Sequence, residues 1–102
     1  MKFKVKKSND IGISKITIAM LSNKGIVFYN SELNSFYKLY VKSSGKSWFE
    51  NGAKVYSSTV YELLKFDFKR NEFKFVDVGS LNSIFKKLPD TNWYRATATE
   101  IK

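Results

Sequence analysis

The chain has 102 residues, and its 18 lysines and arginines against 9 aspartates and glutamates give a net charge of +9. It contains neither cysteine nor histidine, which excludes a disulfide framework, zinc and iron–sulfur sites, and imidazole acid–base catalysis. A hydrophobic content of 43% with 17% aromatic residues is too high for a disordered chain. We therefore expect one folded domain over residues 1–102, without a cofactor.

No long apolar segment is present in the sequence. The longest run, Ile16–Leu21, is far shorter than the roughly 20 residues of a membrane-spanning helix. No apolar signal-peptide core follows Lys6 and Lys7. We expect a protein of the cytoplasm of a bacterium or a phage-infected cell, with no membrane partner.

The first third of the chain shows strand-like alternation. Lys2–Lys6 alternates lysines with apolar residues and predicts a first strand with its lysines outward. Ile13–Leu21 is rich in β-branched residues and predicts a second strand. Ser22–Gly25 predicts a tight turn that joins this strand to an antiparallel partner at Ile26–Tyr29. One face of the second strand is expected to carry Ile16, Ile18 and Met20.

The middle third contains the clearest hairpin signal. A fourth strand is predicted over Phe36–Lys42, with aromatic and basic residues at its outward positions. Asn51-Gly52 lies between two aromatic segments, Trp48-Phe49 and Val55-Tyr56, and this dipeptide favours a two-residue hairpin turn. We therefore predict a small hairpin or arm at this point.

The last third combines helix and strand signals. Thr59 with Glu62 three residues later fits a capping box and predicts the start of a short helix. Alternation from Leu64 to Phe75 favours a pair of strands. Ser80–Leu88 predicts a helix that Ser80 caps and Pro89 ends.

These elements predict an α+β fold, a mainly antiparallel sheet of five to seven strands with the helix over residues 80–88 packed on its apolar face. Trp93–Ile101 alternates again and is expected to close the sheet as an edge strand. An open β-barrel of the OB-like kind, used by single-strand-binding proteins, fits the same composition and remains the alternative.

The candidate site is a surface of lysines and aromatic rings. Such surfaces bind single-stranded nucleic acid, because bases stack on exposed rings while lysines follow the phosphates. The fourth strand supplies two rings and two lysines, the first strand three lysines, and the hairpin region a tryptophan between two lysines. The set is Lys2, Lys4, Lys6, Phe36, Lys38, Tyr40, Lys42, Lys46, Trp48 and Lys54. Ordinary strand chemistry explains each residue separately, since aromatic residues favour strands and lysines protect exposed edges.

Two groups of acids and lysines have the residue types of a metal-dependent nuclease. They are Asp67, Glu72 and Lys74, and Asp90, Glu100 and Lys102. A tight turn separates Asp67 from Glu72, and the second group ends at a chain terminus, so we interpret both as surface ion pairs. We predict no catalytic residues and no metal site.

Five segments, in order along the chain, resemble the SpoVG-like family of small bacterial regulators. They are Met1–Lys4, Lys15–Leu21, Ile26–Tyr29, Leu39–Ser43, and Trp48-Phe49 before a helix near Thr59. The resemblance implies a homodimer that binds nucleic acid, and it matches Lys42 and Lys46 to the family's basic loop. The family's proline after the strand that ends at Val41 is absent here, and the chain from Phe66 onward has no counterpart.

We predict a non-enzymatic protein that binds nucleic acid, with single-stranded DNA or RNA favoured. Sixteen of its basic residues are lysines, which contact phosphates and rarely read base edges in the bidentate manner of arginine. The alternative is a protein-interaction module, such as a small phage-encoded or host regulator that docks on a larger enzyme through Trp48, Phe49 and neighbouring tyrosines and inhibits or modulates it. A homodimer is also expected, with Trp93–Ile101 as the pairing edge.

Overall fold

A computed structural model describes residues 2–7, 12–20 and 25–101 of the chain. Within these ranges the chain forms eight strands and two short helices. In chain order they are β1 (Lys2–Lys7), α1 (Lys15–Met20), β2 (Val27–Asn30), β3 (Ser35–Ser43), β4 (Ser47–Glu50), β5 (Ala53–Tyr56), β6 (Val60–Asp67), β7 (Glu72–Gly79), α2 (Leu81–Phe85) and β8 (Trp93–Ile101).

Six of these strands form one sheet in the order β1-β8-β2-β3-β6-β7, and every neighbouring pair is antiparallel. The sheet curls into a half-barrel, while β4 and β5 form a separate two-stranded hairpin. This architecture confirms the predicted α+β fold with a mainly antiparallel sheet. Neither helix of the described residues is long and apolar enough to cross a membrane.

The main core lies between the sheet and the two helices. Ile18 of α1 and Ile84 and Phe85 of α2 pack against inward residues of the sheet. Trp93 is almost wholly buried among them, and its indole N–H donates to the carbonyl of Pro89 at 2.8 Å. That bond satisfies the only polar group of the indole, so the large ring is buried without an unpaired donor.

A second, smaller core lies on the opposite face of the sheet. Val27, Phe36, Phe66 and Ala96 are buried together there. Val27 and Phe36 directly precede core residues of the first face, as expected for side chains that alternate along a strand. These side chains contact one another across the face of the sheet. Phe36, which the sequence predicts to point outward, is therefore not free to contact a ligand.

The structure confirms a helix after Ser80, although it is shorter than predicted. The backbone N–H of Ser83 donates to Ser80 Oγ at 3.2 Å, which makes Ser80 the N-cap. The helix ends at Phe85, and the N–H groups of Lys87 and Leu88 then donate to carbonyls three residues earlier. The tightened turn still lets Leu88 pack against the main core, as its spacing predicts.

The predicted second strand over Ile13–Leu21 is wrong, because Lys15–Met20 forms α1. β2, its predicted partner, already pairs with β8 on one side and with β3 on the other. No edge of β2 is therefore open to residues 13–21. The residues of the predicted turn before Gly25, Ser22–Lys24, lie outside the described residues.

Local hydrogen bonds and burial fit α1 as a helix. Ser14 Oγ accepts from the backbone N–H of Thr17 at 3.2 Å, which caps the first turn. Ile18 is buried in the main core, whereas Ile16 and Met20 are strongly exposed. The three side chains therefore do not share a face, because the strand period of two does not apply here.

The predicted helix at Thr59 is also wrong, because β6 begins at Val60. Thr59 Oγ1 accepts a bond from the backbone N–H of Gly45 at 3.0 Å, so its hydroxyl acts across the fold and does not cap a helix. Leu63 lies in the main core, between partners on β3 and β7. Pairing on both sides outweighs the local capping signal.

The predicted strand over Trp93–Ile101 forms as β8, but it is not an edge strand. It lies between β1 and β2 and pairs with both. The edges of the sheet are β1 and β7. The expectation that Trp93–Ile101 is the pairing edge of a homodimer is therefore wrong, because β1 and β2 already use the hydrogen-bonding groups on both sides of this strand.

Candidate nucleic-acid interface

The outward positions of β3 are less open than the sequence predicts. Phe36, expected to be exposed, is only 7% exposed and packs in the second core. Its ring centre lies 4.7 Å from that of Tyr29 and 6.0 Å from that of Phe68. Because the curled sheet brings these rings together, Phe36 is a core residue and is not available for stacking on a base.

The two lysines of this face have neighbours of their own. Lys38 is half-buried, and its Nζ lies 4.6 Å from the centre of the Phe73 ring, a cation–π contact that reaches across β6 to β7. Lys42 Nζ lies 3.9 Å from Oε1 of Glu62, which is the cross-strand partner of Tyr40. Glu62 therefore places a negative charge within the predicted basic track.

The lysines of β1 do not extend that track. Lys4 and Lys6 are exposed and alternate with Val5, which packs against the second core on the side of Phe36. Successive side chains of a strand point to opposite faces, so both lysines lie on the other face of the sheet. Two strands, β8 and β2, also separate β1 from β3. The side chain of Lys2 lies outside the described part of the structure.

The hairpin of β4 and β5 forms as predicted at Asn51-Gly52. Both turn residues have positive φ, 50° and 79°, the combination of a type I′ turn that asparagine and glycine adopt at low cost. The turn fixes the register, so that Phe49 pairs with Lys54 and Ser47 with Tyr56. Phe49, Lys54 and Tyr56 consequently lie on one side of the hairpin.

This side of the hairpin is exposed, aromatic and basic. Phe49 is 76% and Tyr56 70% exposed, and Nζ of Lys54 lies 5.4 Å from the centre of the Tyr56 ring. Trp48, 44% exposed, lies on the other side opposite Val55. In the described part of the chain, neither β4 nor β5 packs extensively on another element, and the molecule extends 56 Å along its longest axis.

The base of the hairpin is held by close backbone contacts. The N–H of Ser57 donates to the carbonyl of Lys46 at 2.8 Å, and the N–H of Lys46 donates to Ser57 Oγ at 3.0 Å. A Cβ added at Gly45 would lie only 2.8 Å from the carbonyl oxygen of Ser57. Glycine is therefore required where the β4–β5 hairpin leaves the sheet. Lys46 lies at that junction.

Three of the ten predicted residues thus lie at this hairpin: Lys54 on the exposed side, Trp48 on the other side, and Lys46 at the base. The structure adds two exposed rings that the predicted set lacks, Phe49 and Tyr56. The signal for both was present, because a two-residue turn at Asn51-Gly52 dictates which residues share a side. Tyr40 and Lys42 lie near the start of the hairpin, at the end of β3.

The acidic groups form ion pairs with lysines. Asp67 and Glu72 lie opposite each other on β6 and β7, and Lys74 Nζ lies 3.0 Å from Asp67 Oδ2. The hydrogen bond from Lys74, helped by the backbone N–H groups of Arg70 and Lys69, lowers the pKa of Asp67.

The second acidic group lies partly outside the described residues. Asp90 contacts Lys15, while the side chain of Glu100 and the whole of Lys102 lie outside the described residues. Among the described residues no cluster of three potential metal ligands occurs. These contacts are those expected of surface ion pairs.

Comparisons with known proteins identify no relative of this chain, since no family model, curated protein or solved structure matches it. The resemblance to the SpoVG-like family therefore stays a prediction. Two of the segments that carry it have a different local structure from the one expected, because residues 15–20 are helical and the segment after Thr59 is a strand.

Proposed function

We propose that this protein binds single-stranded nucleic acid through the β4–β5 hairpin, as a binding protein and not as an enzyme, with little base specificity. The observation that carries the proposal is the exposed side of the hairpin, where Phe49 is the cross-strand partner of Lys54 and the ammonium group of Lys54 lies 5.4 Å from the centre of the Tyr56 ring. An intracellular location is part of the same proposal.

Stacking on this side of the hairpin supplies the first part of the binding energy. Exposed rings stack on nucleic-acid bases of any sequence, with about 1–3 kcal/mol per base. Phe49 and Tyr56 are strongly exposed, and neither β4 nor β5 packs extensively on another described element. A single strand can place an unpaired base on such a ring, whereas a duplex keeps its bases stacked inside.

The positive charge of the protein supplies the second part of the binding energy. The net charge of +9 attracts phosphates from a distance, Lys54 lies on the hairpin, and Lys46 lies at its base. In the described part of the structure neither of these lysines forms an ion pair, in contrast to Lys42. Lys42 and Tyr40 are expected to contact the strand where it passes the base of the hairpin.

The direct test is fluorescence anisotropy with labelled oligothymidine and oligouridine of about 16 nucleotides and with a duplex of the same length. We expect binding to both single strands, weaker binding to the duplex, and a steep loss of affinity between about 50 and 200 mM salt. Absence of binding to all three probes at low salt would contradict the proposal.

The double variant Phe49→Ala, Tyr56→Ala localises the interface. We expect the affinity for oligothymidine to fall by at least about tenfold, because two stacking rings are lost. Phe68→Ala is the matched control, since Phe68 is 62% exposed but follows the far end of β6. Equal losses in both variants would contradict the assignment to the hairpin.

The other side of the hairpin favours a protein partner as the alternative. Trp48 and Val55 are cross-strand partners there, and aromatic residues are enriched at the centres of protein interfaces. Affinity capture from a cell lysate, with and without nuclease, separates the two functions. One stoichiometric protein that stays bound after nuclease treatment, and is lost with Trp48→Ala, favours a docking module.

A further inference from the structure

The two edges of the sheet differ in charge and in exposed apolar surface. β1 carries four lysines among its six residues, which protects that edge against pairing with a like-charged copy. β7 contains one lysine and two acids, and its side chains Phe75, Val76 and Val78 are 40–56% exposed. An eight-residue edge strand of this kind is open to pairing with another strand.

We propose that a second copy of this chain pairs antiparallel with β7, about a two-fold axis that passes between Phe75 and Val76. Lys74 then lies opposite Asp77 of the second copy, and Asp77 opposite Lys74 of the second copy. The two half-barrel sheets join into one. This inference does not rest on nucleic-acid binding.

A β-bulge in β7 is the reason for this register, because it changes which residues of the strand share a face. Leu64 pairs with Phe75 and Leu63 with Asp77, so Val76 is an extra residue in the strand. Lys74 and Asp77 pair with Lys65 and Leu63, which are two residues apart on β6, and therefore share a face.

Apolar residues match in the same register. Phe73 and Val78 share the opposite face, because their partners Phe66 and Glu62 are four residues apart on β6. Phe73 then lies opposite Val78 of the second copy, and Phe75 opposite Val76. Exposed apolar surface of each copy is covered by the other, which is the main driving force of association.

Charge complementarity disfavours the neighbouring register on the Glu72 side. A shift of two residues toward Glu72 places Glu72 opposite Asp77 of the second copy, two like charges. In the proposed register each copy's Asp67–Lys74 pair, at 3.0 Å, approaches the Asp77–Lys87 pair of the other, at 3.3 Å. Positive and negative groups then alternate across the junction.

The test is sedimentation of nuclease-treated protein from about 1 µM to 1 mM. We expect the wild-type chain to dimerise in this range. Lys74→Asp and Asp77→Lys each place two like charges at the junction, so we expect each variant alone to raise the dimer dissociation constant by at least about tenfold. Lys4→Asp, the same change of charge on the β1 edge, is the control and should leave the constant unchanged.

Mixing the two variants gives the decisive result. A heterodimer of Lys74→Asp with Asp77→Lys has opposite charges at both contacts, so the mixture should dimerise like the wild type. The double variant Lys74→Asp, Asp77→Lys should also dimerise, which keeps the test valid if one single variant folds poorly. A monomeric wild-type chain up to about 1 mM, a dimer insensitive to both single variants, or a mixture and a double variant that both stay monomeric would overturn the proposal.

Discussion

The β3 face (Phe36, Lys38, Tyr40 and Lys42) and the β4–β5 hairpin have the same residue types, lysines alternating with aromatic rings. In the sheet, the ring of Phe36 is buried, Lys38 lies over the Phe73 ring, and Lys42 lies near Glu62. In the hairpin, Phe49 and Tyr56 keep their rings in solvent. The difference teaches that neighbouring strands, and not the alternation itself, determine whether a ring is available to a ligand.

The largest expected difference between the two regions is in how much an aromatic ring contributes to the free energy of unfolding. Phe36→Ala removes a buried ring and is expected to lower the free energy of unfolding by about 3–5 kcal/mol. Phe49→Ala removes an exposed ring and should change it by less than about 0.5 kcal/mol. Urea unfolding followed by tryptophan fluorescence measures both. Similar losses in the two variants would mean that the hairpin packs on the sheet in solution.

The next effect concerns the junction between the regions. Gly45→Ala brings a methyl group to 2.8 Å from the carbonyl oxygen of Ser57, and this overpacking is expected to cost about 1–3 kcal/mol. The cost should fall on the hairpin, so we expect faster amide hydrogen exchange at Lys46 and Ser57 than in the wild type.

Gly12→Ala is the matched control for the junction. Its Cβ would meet the carbonyl oxygen of Trp93 at 3.6 Å, an ordinary contact, so exchange at Lys46 and Ser57 should not change. Faster exchange throughout the sheet in Gly45→Ala would show that the hairpin and the sheet do not behave as separate regions.

A smaller effect is expected from the acid within the β3 face. Glu62→Gln removes the negative charge beside Lys42 and Tyr40 and makes this face more similar to the hairpin. We expect the affinity for oligothymidine to rise by roughly twofold to fivefold at low salt, with a steeper salt dependence. Glu32→Gln, an exposed acid in the turn between β2 and β3, controls for the change in net charge. An equal rise in both variants would assign the effect to net charge alone.

The smallest effect is a titration at the end of the sheet that is distant from the hairpin. The pKa of Asp67 is lowered by the hydrogen bond from Lys74, so its carboxylate stabilises the fold at neutral pH. This contribution is lost as the pH falls through the lowered pKa, below the ordinary value of about 3.9. Lys74→Met should raise the pKa of Asp67, as measured by NMR titration of its carboxyl carbon. Lys87→Met, which removes the partner of Asp77, should leave the pKa of Asp67 unchanged.

Local sequence determined the parts of this protein in which neighbouring residues in the chain decide the conformation. Asn51-Gly52 specified its hairpin because few residue pairs adopt positive φ at both turn positions. Ser80 specified a helix start because its hydroxyl accepts the N–H three residues later. The alternation in Trp93–Ile101 and in residues 64–75 likewise predicted strands that form.

Only the tertiary structure decided which partners each segment has. Residues 15–20 are rich in β-branched side chains but form a helix, because both sides of β2 are already paired. Phe36 satisfies the pattern of an outward residue but is buried, because the sheet curls onto that face. β8 carries no charge over residues 97–99, which favoured an unprotected edge open to pairing, but it lies inside the sheet between β1 and β2. Non-local hydrogen bonds and burial, which no local pattern encodes, buried the ring of Phe36 and left β7 as an edge of the sheet.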